Sequence, residues 1–537
     1  MDRPPPSSAP ELVHRSHCQP HSRSESFESQ ALQKGGTMDQ LMEIEHQRER
    51  RSTMNRSHDP FIHRLPPELG SYIFRLCGLY RPWVLCGICS YWRQIACSTP
   101  ELWSELYIPV RNTHSSESCN VIEMALHRSG SLPLSLSISS PQHRSDKLSA
   151  TMSTLIAMVN QCSGRWYSLS FEVPSWVLPL ISPSNGNPTL LKKLQLRAFW
   201  DSAPIHDQDS LQMSSASPTS LILWIPGCRL DFVSIKWSCM TTVDVDSFRE
   251  DECLELLRRC PQLVTLKVKI SLDTGGTPFS MTAVNHPQLQ IFKLTVNEEA
   301  PEDLLELLTL PNLQTFSYYD GHLYPFPPRI LTSLFRRSDC AVMDLCLDAE
   351  IIGTDDFIEL LESIPSLRNL KFKSTIDSDC HADVILECLS EFSKTDVNFM
   401  PNVLPQLLSL ECVCPYPLQW EHVTASFGPI GERHGSPCRP LKKIKVRINF
   451  DPDEDGVLGM DYMLIPTIRR IYNILGAGVD LDIQCYDPDG GSTFNIGVVE
   501  FERTSLNYHS SRVDKLVHEI SDSISELMRD DVGIKFL

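Results

Sequence analysis

The stretch "PQLVTLKV", Pro261–Val268, is echoed by "PQLQIFKL" (Pro287–Leu294), "PNLQTFSY" (Pro311–Tyr318), "PSLRNLKF" (Pro365–Phe372) and "PQLLSLEC" (Pro405–Cys412). Each opens on a proline, has a leucine two places later, and then alternates apolar and polar residues. A period of two puts the apolar side chains on one face of a strand. Weaker copies stand at Leu191 ("LKKLQL"), Met240 ("MTTVDV"), Val342 ("VMDLCL") and Leu441 ("LKKIKV"). Between several of them lie "DECLELLRRC", "PEDLLELLTL", "PRILTSLFRRS" and "TDDFIELLESI", whose apolar residues recur at helical spacing.

Strand followed by helix, recurring about every 23 to 30 residues, predicts an α/β chain of small units that bury one another's apolar faces by stacking. Longer gaps precede Pro405 and Leu441. The period and the L-x-x-L-x-L core are those of a leucine-rich-repeat-like solenoid, expected over residues 120–470. Chance recurrence in a leucine-rich chain is the competing explanation, and the recurring proline argues against it. The regular motif continues to an asparagine, a place held here by Ser271, Gly321, Glu350 and Thr375, with only Asn297 matching. Strands of uneven length are therefore expected. Residues 471–537 read as a hairpin and helix capping the solenoid: "VDLDIQC" (Val479–Cys485) and "FNIGVVEF" (Phe494–Phe501) alternate like paired strands around the turn-rich "YDPDGGST", and "VDKLVHEISDSISELM" is amphipathic.

Before the repeats, residues 1–59 are rich in Ser, Pro, His, Arg and Glu and poor in large apolar side chains, a composition that predicts a disordered segment. A short helix is expected near 38–51, and the basic run "RERRSTMNR", interrupted by Glu49, reads as a solvated helix end rather than a nuclear-import signal. Then comes "HRLPPELGSYIFRLCGLYRPWVLCGICSYWRQIACSTPELW", His63–Trp103. Pro66 and Pro67 suit the first turn of a helix, with Leu69, Ile73, Leu76 and Tyr80 at helical spacing. Gly78 and Pro82 break it, a second helix carries Leu85, Ile88, Trp92 and Ile95, and "STPELW" starts a third, capped by Ser98 or Thr99. Three helices in so short a segment cannot cover their own core, so part of this apolar surface is expected to face a partner.

The chain has 537 residues with a formal net charge of −19, which argues against general nucleic-acid binding. No signal peptide and no membrane span is expected. The 19 scattered cysteines suggest reduced thiols in the cytoplasm or nucleus. "DPDEDGVLGMDY" (Asp451–Tyr462) begins like a calcium loop, but Tyr462 stands where a bidentate glutamate belongs. "CGIC" (Cys86–Cys89) is half a zinc site with no second half, and both cysteines are read as buried thiols within a helix. No nucleophile elbow, phosphate loop or dinucleotide fingerprint occurs, so no cofactor, no metal and no catalytic role is expected.

The anchors "LPPEL" (Leu65–Leu69), "IF" (Ile73–Phe74), "IC" (Ile88–Cys89), "WR" (Trp92–Arg93) and "STPELW" (Ser98–Trp103) resemble an F-box, taken as residues 60–107. With "HRSGSLPLSLSI" (His127–Ile138), "RWYSLSF" (Arg165–Phe171) and "CLELLRRCPQLVTLKV" (Cys253–Val268), the layout is similar to the F-box proteins with degenerate leucine-rich repeats found in mushroom-forming fungi. The resemblance implies an F-box docked on a Skp-type adaptor, which bridges to a cullin-RING ubiquitin ligase, and a repeat domain that holds an unidentified protein substrate. It further implies that Leu65, Pro66, Leu69, Ile73, Ile88, Cys89 and Trp92 are adaptor-facing or helix-packing residues, Leu65 and Pro66 being favoured for contact and Trp92 for the core. Where many F-boxes open the second helix with an acidic residue and a leucine, this chain has Arg81, Pro82 and Trp83. The alternative is an F-box-derived scaffold with no ligase role. Lys267, Lys293 and Lys371, between apolar strand positions, are candidates for the face that meets a substrate or are ordinary exposed lysines.

Overall fold

The computed structural model describes residues 65–77, 82–110, 116–141, 146–199, 211–271, 278–296, 300–320, 326, 328–349, 353–373, 382–390, 392–394, 399–401, 403–414, 420–427, 440–449, 465–476, 478–486 and 493–495. The expected N-terminal helix, the acidic loop at Asp451–Tyr462 and the C-terminal amphipathic helix lie outside these residues, as do Gly321, Glu350, Thr375 and Asn297. The chain is α/β and divides into two compact units, the first running to Ile108 and taking in residues up to Ser137, the second starting in earnest at Ile138.

The first unit is helical at its start: α1 (Pro67–Leu76), α2 (Pro82–Ile88) and α3 (Ser90–Cys97), then a 3-10 turn at Pro100–Trp103. Strand β1 (Glu105–Pro109), helix α4 (Ser116–Arg128) and strand β2 (Leu134–Ser139) follow, with the Ser135 N–H donating to the Ser104 carbonyl at 2.8 Å. Two expectations are corrected here. The single second helix is two, because Cys89 leaves helical geometry (φ −154°, ψ 171°) and its thiol accepts the Trp92 N–H as the N-cap of α3. "STPELW" forms a 3-10 turn, and neither hydroxyl caps it. The Thr99 hydroxyl instead donates to the Ile95 carbonyl at 2.7 Å and lies 2.8 Å from the Ser71 hydroxyl.

In the second unit helix α5 (Asp146–Gln161) leads into strands β3 (Trp166–Pro174), β4 (Lys193–Phe199), β5 (Ser220–Trp224) and β6 (Thr242–Phe248). Helix α6 (Glu250–Arg259) precedes β7 (Thr265–Ile270) and β8 (Ile291–Val296). Then α7 (Glu302–Leu307), β9 (Thr315–Asp320), α8 (Pro328–Ser338), β10 (Asp344–Asp348), α9 (Thr354–Glu362) and β11 (Asn369–Lys373) alternate. Helix α10 (Ala382–Ser390), β12 (Ser409–Cys414), α11 (Trp420–Ala425), β13 (Lys443–Asn449), α12 (Ile465–Gly476), β14 (Asp480–Tyr486) and β15 (Thr493–Asn495) complete the described residues. Strands β3 to β15 pair in chain order. Each pairing from β3 to β14 is parallel. The last is antiparallel, Gln484 opposite Asn495. Every proline-led copy and every weaker copy lies at the entry to one of these strands. The α7 segment is shorter than its pattern, because Leu308–Thr309 leaves the helix to pair with Val284–Asn285.

The recurring proline has a physical role. In four of the five copies the residue before it accepts a hydrogen bond from the leucine two places after it: Leu263 N–H to the Cys260 carbonyl at 3.0 Å, Leu313 to Leu310 at 3.1 Å, Leu367 to Ile364 at 3.1 Å and Leu407 to Leu404 at 3.2 Å. This is a β-turn with proline at its second position, which presets the required φ. Leu263, Leu289, Leu313, Leu367 and Leu407 are fully buried. The next N–H enters the ladder, Val264 on Thr241 and Gln314 on Gln290, both at 2.9 Å.

Because every strand starts in the same phase, like residues line up. Val243, Leu266, Phe292, Phe316, Leu345, Leu370, Leu410 and Ile444 occupy one row of paired positions, and all are buried. Helices cover this face. Leu254 and Leu257 of α6, Leu331 and Phe335 of α8 and Phe357 of α9 are buried, and Phe316 meets Phe292 at 5.7 Å and Phe335 at 5.8 Å, both edge-on. Phe316→Ala is expected to cost about 3–5 kcal/mol and to lower the unfolding midpoint of the second unit, while Lys371→Ala moves it by less than about 0.5 kcal/mol. Denaturant titration of the two variants checks this.

Candidate functional site

The first helix of the unit packs through a glycine and an aromatic residue rather than through its leucines. Pro66 stands at the N-cap of α1 and Pro67 in its first turn, where a missing N–H costs nothing. The buried residues of α1 are Gly70 and Phe74. A Cβ on Gly70 would lie 2.9 Å from Ile95 Cδ1, so α1 packs closely on the Ile95 side chain of α3 and any larger residue at position 70 must displace it. One turn on, the Phe74 ring meets Trp92 at 4.9 Å. The Tyr91 hydroxyl donates to the Leu65 carbonyl at 3.2 Å, the Arg93 Nε to the Cys86 carbonyl at 2.8 Å, and the Trp103 Nε1 to the Ala96 carbonyl at 2.7 Å. The Arg128 guanidinium lies 4.7 Å from the Trp103 ring centre. Leu85, Ile95, Ala96, Leu102 and Trp103 complete the core.

That packing turns apolar side chains outward. On α1, Leu69 is 49% exposed, Tyr72 56% and Leu76 68%, and on α2 Val84 is 51% and Ile88 47%. Leu69, Tyr72 and Leu76 stand at spacings of three and four, on one helix face, and Val84 and Ile88 are four apart. Helical spacing alone leaves open which of Leu69, Ile73 and Leu76 pack inward; in the structure α1 turns Gly70 and Phe74 to the core, Ile73 is half-buried, and Leu69 and Leu76 are exposed. Each of α1 and α2 thus carries large exposed apolar residues on one side, and exposed apolar surface of this kind marks interaction sites when it is contiguous.

The seven residues singled out from the sequence divide. Pro66, Leu69 and Ile88 are exposed, whereas Leu65, Ile73, Cys89 and Trp92 are half-buried. Cys89 spends its thiol on the α3 cap, and Trp92 spends one side of its ring on Phe74. Tyr72, Leu76 and Val84 were not read as contact residues. Their signal was available in the three- and four-residue spacing from Leu69 and Ile88, but nothing in the spacing says which stripe of a short helix faces in.

Cys86 and Cys89 do not share a helix. Cys86 lies in α2 and Cys89 between helices, which corrects the placing of both within one helix. The Cys86 sulfur is 4.0 Å from that of Cys97, and burial, with Cys97 alongside, pushes its pKa up to about 11. Burial also pushes the Cys260 thiol up to about 12 and those of Cys228 and Cys253 further still, so these are inert at neutral pH. Cys86, Cys89, Cys97, Cys228, Cys253 and Cys260 are free thiols. Among the described residues no group of three or more His, Cys, Asp or Glu is arranged to hold a metal, and no helix is long and apolar enough to cross a membrane.

In the second unit the candidate lysines stand on the sheet face opposite the helices. Lys267 pairs with Asp244 at 3.4 Å and Lys371 with Glu411 at 3.5 Å, while Lys293 has no ion pair among the described residues. A buried carboxylate on helix α6 is structural. Glu252, fully buried, accepts the Leu230 N–H at 3.1 Å and the Arg249 N–H at 3.2 Å, and desolvation holds its carboxyl above the usual range.

In the first unit, Gly70→Leu is expected to unseat α1 at a cost of about 1–3 kcal/mol or more, while Leu69→Ala and Ile88→Ala shift stability by less than about 0.5 kcal/mol. Thermal melting of the three variants, followed by circular dichroism, separates them. No model of a known protein family matches the chain, and no curated protein matches it.

Proposed function

We propose that this chain is the substrate receptor of an SCF-type cullin-RING ubiquitin ligase. In this reading residues 65–103 are an F-box that docks a Skp-type adaptor, and the strand–helix units are a leucine-rich-repeat solenoid that binds a protein substrate. The observation that carries the proposal is the outward-facing set Leu69, Tyr72, Leu76, Val84 and Ile88 on two short helices whose inner faces are already filled. A small helical unit gains nothing by exposing five large apolar side chains unless a partner covers them. The resemblance at Leu65–Trp103 supplies the identity of that partner. The chain itself is then not an enzyme, ubiquitin transfer being the work of other subunits, and its place of action is the cytoplasm or the nucleus.

The alternative is a scaffold whose helical unit has lost the adaptor. It is favoured by one feature: α2 begins at Pro82, which is buried, where many F-boxes open with an acidic residue and a leucine.

Affinity purification of the tagged chain from a fungal or yeast host decides between them. Wild type is expected to bring down the adaptor, and Leu65→Ala, Pro66→Ala to bring down less. Leu69→Ala with Ile88→Ala is expected to weaken binding by about 30-fold or more, the effect of losing about 2 kcal/mol at an interface centre. A folded wild type that captures no adaptor defeats the ligase reading and leaves the scaffold.

A further inference from the structure

On the sheet face turned away from the helices, polar side chains are stacked in rows as regularly as the leucines on the other. One row runs Asp244, Lys267, Lys293, Ser317, Cys346, Lys371, Glu411, Lys445, Asp482 across strands β6 to β14. Its lysines have acids beside them: Lys267 with Asp244 at 3.4 Å, Lys371 with Glu411 at 3.5 Å, Lys445 with Asp482 at 3.2 Å. In the next row Lys269 meets Asp246 and Lys373 meets Asp348, both at 3.5 Å. Lys293 is the exception. It has no acidic partner among the described residues, and its paired neighbour on β7 is another cation, Lys267. Like charges at directly opposed strand positions are unfavourable, and the pairing stands out in a chain of net charge −19.

Lys293 opens into a groove of about 360 Å³ whose lining includes Trp224, Asp244, Asp246, Lys267, Lys269 and Lys293; the two aspartates are taken up by Lys267 and Lys269. Trp224 is 41% exposed and is held rigidly: the Arg197 guanidinium stacks at 4.1 Å from its ring centre, and its Nε1 donates to Asp244 Oδ1 at 2.9 Å. With its N–H satisfied, what the indole offers outward is apolar surface in a fixed orientation, the kind of preorganised anchor that loses little entropy on binding.

We propose that this groove binds an extended peptide segment of the protein substrate, an anionic side chain pairing with Lys293 and an apolar side chain resting on Trp224. The inference deepens, and rests on, the reading of the second unit as a substrate-binding surface. The spacing follows from the sheet. Trp224 on β5 and Lys293 on β8 are three strands apart, about 14 Å at 4.7–4.9 Å per strand, and Trp224 lies two residues along from Ile222, the β5 residue in the Lys293 row, so the two backbones are about 16 Å apart. Same-face side chains four residues apart on an extended peptide span about 13 Å, and the long lysine side chain closes the difference. The recognised pattern is therefore an anionic residue and a large apolar residue four places apart. A carboxylate and a phosphate share the required chemistry.

Fluorescence anisotropy of the full chain with labelled eleven-residue synthetic peptides tests this. One peptide carries Glu and Leu four apart on a Ser/Gln background, a second replaces Glu by Gln, and a third replaces Glu by phosphoserine. The Glu or the phosphoserine peptide is expected to bind at least about 10-fold tighter than the Gln peptide, and whichever is tighter identifies the anion. Lys293→Glu and Lys293→Gln are expected to abolish that preference. Lys371→Glu, on the same row but outside the groove, is expected to keep it. Thermal melting establishes that each variant is folded. Equal binding of all three peptides, no binding by about 1 mM, or an undiminished preference in Lys293→Glu overturns the proposal. Adaptor capture is measured on the same preparations. Lost peptide preference with intact capture defeats the groove alone, and peptide preference without capture defeats the ligase reading alone.

Discussion

The register of the parallel sheet is the constraint on which the second unit depends. A slip of one residue in any strand would carry its leucines to the solvent face and its lysines inward, so the row from Val243 to Ile444 holds only if each strand enters in phase. At β7, β9, β11 and β12 the proline-led turn supplies that phase. It closes on a fully buried leucine and hands the following N–H to the preceding strand, so one local hydrogen bond sets both the burial and the pairing of the strand that follows. Edge-on aromatic contacts such as Phe292–Phe316–Phe335 then fill the space between sheet and helices where leucines alone would leave voids.

The same register that stacks apolar side chains on one face has to stack polar ones on the other. Rows of charge are the result, and they are tolerable only where signs alternate. Alternation is nearly complete from Lys371 to Asp482 and fails at Lys267–Lys293. The geometry that gives the core its order therefore also defines where an outside anion would be most welcome. The buried carboxylate of Glu252 is the contrasting case: its charge is met by two backbone N–H groups, with Arg229 4.0 Å away, and it faces nothing outside.

The first unit solves a different problem. It has too few residues to bury all its apolar side chains, and the close approach of Gly70 to Ile95 decides which are covered. Packing by glycine and aromatic contact is tight but narrow. It leaves Leu69, Tyr72 and Leu76 on the far side of α1, displayed on a frame held by the Tyr91, Trp103 and Thr99 hydrogen bonds.

The strands were legible in the sequence because period-two alternation is a local property, and "PQLVTLKV" or "PSLRNLKF" contains all the information needed to say which residues face together. The helices at Glu250–Arg259 and Thr354–Glu362 were legible for the same reason at a longer period. The two-fold split at Cys89 was not, since it depends on a thiol accepting the Trp92 N–H, and Gly87, two residues earlier, lies within α2 and does not by itself place the break. Nor could spacing say whether Leu69 faces in or out, because α1 carries apolar residues around most of its circumference and only contact with α3 selects a face. Lys267, Lys293 and Lys371 were equivalent as letters. Which of them has an acid beside it is set by strands about 23 to 40 residues apart in the chain, and that pairing exists only once the register is formed.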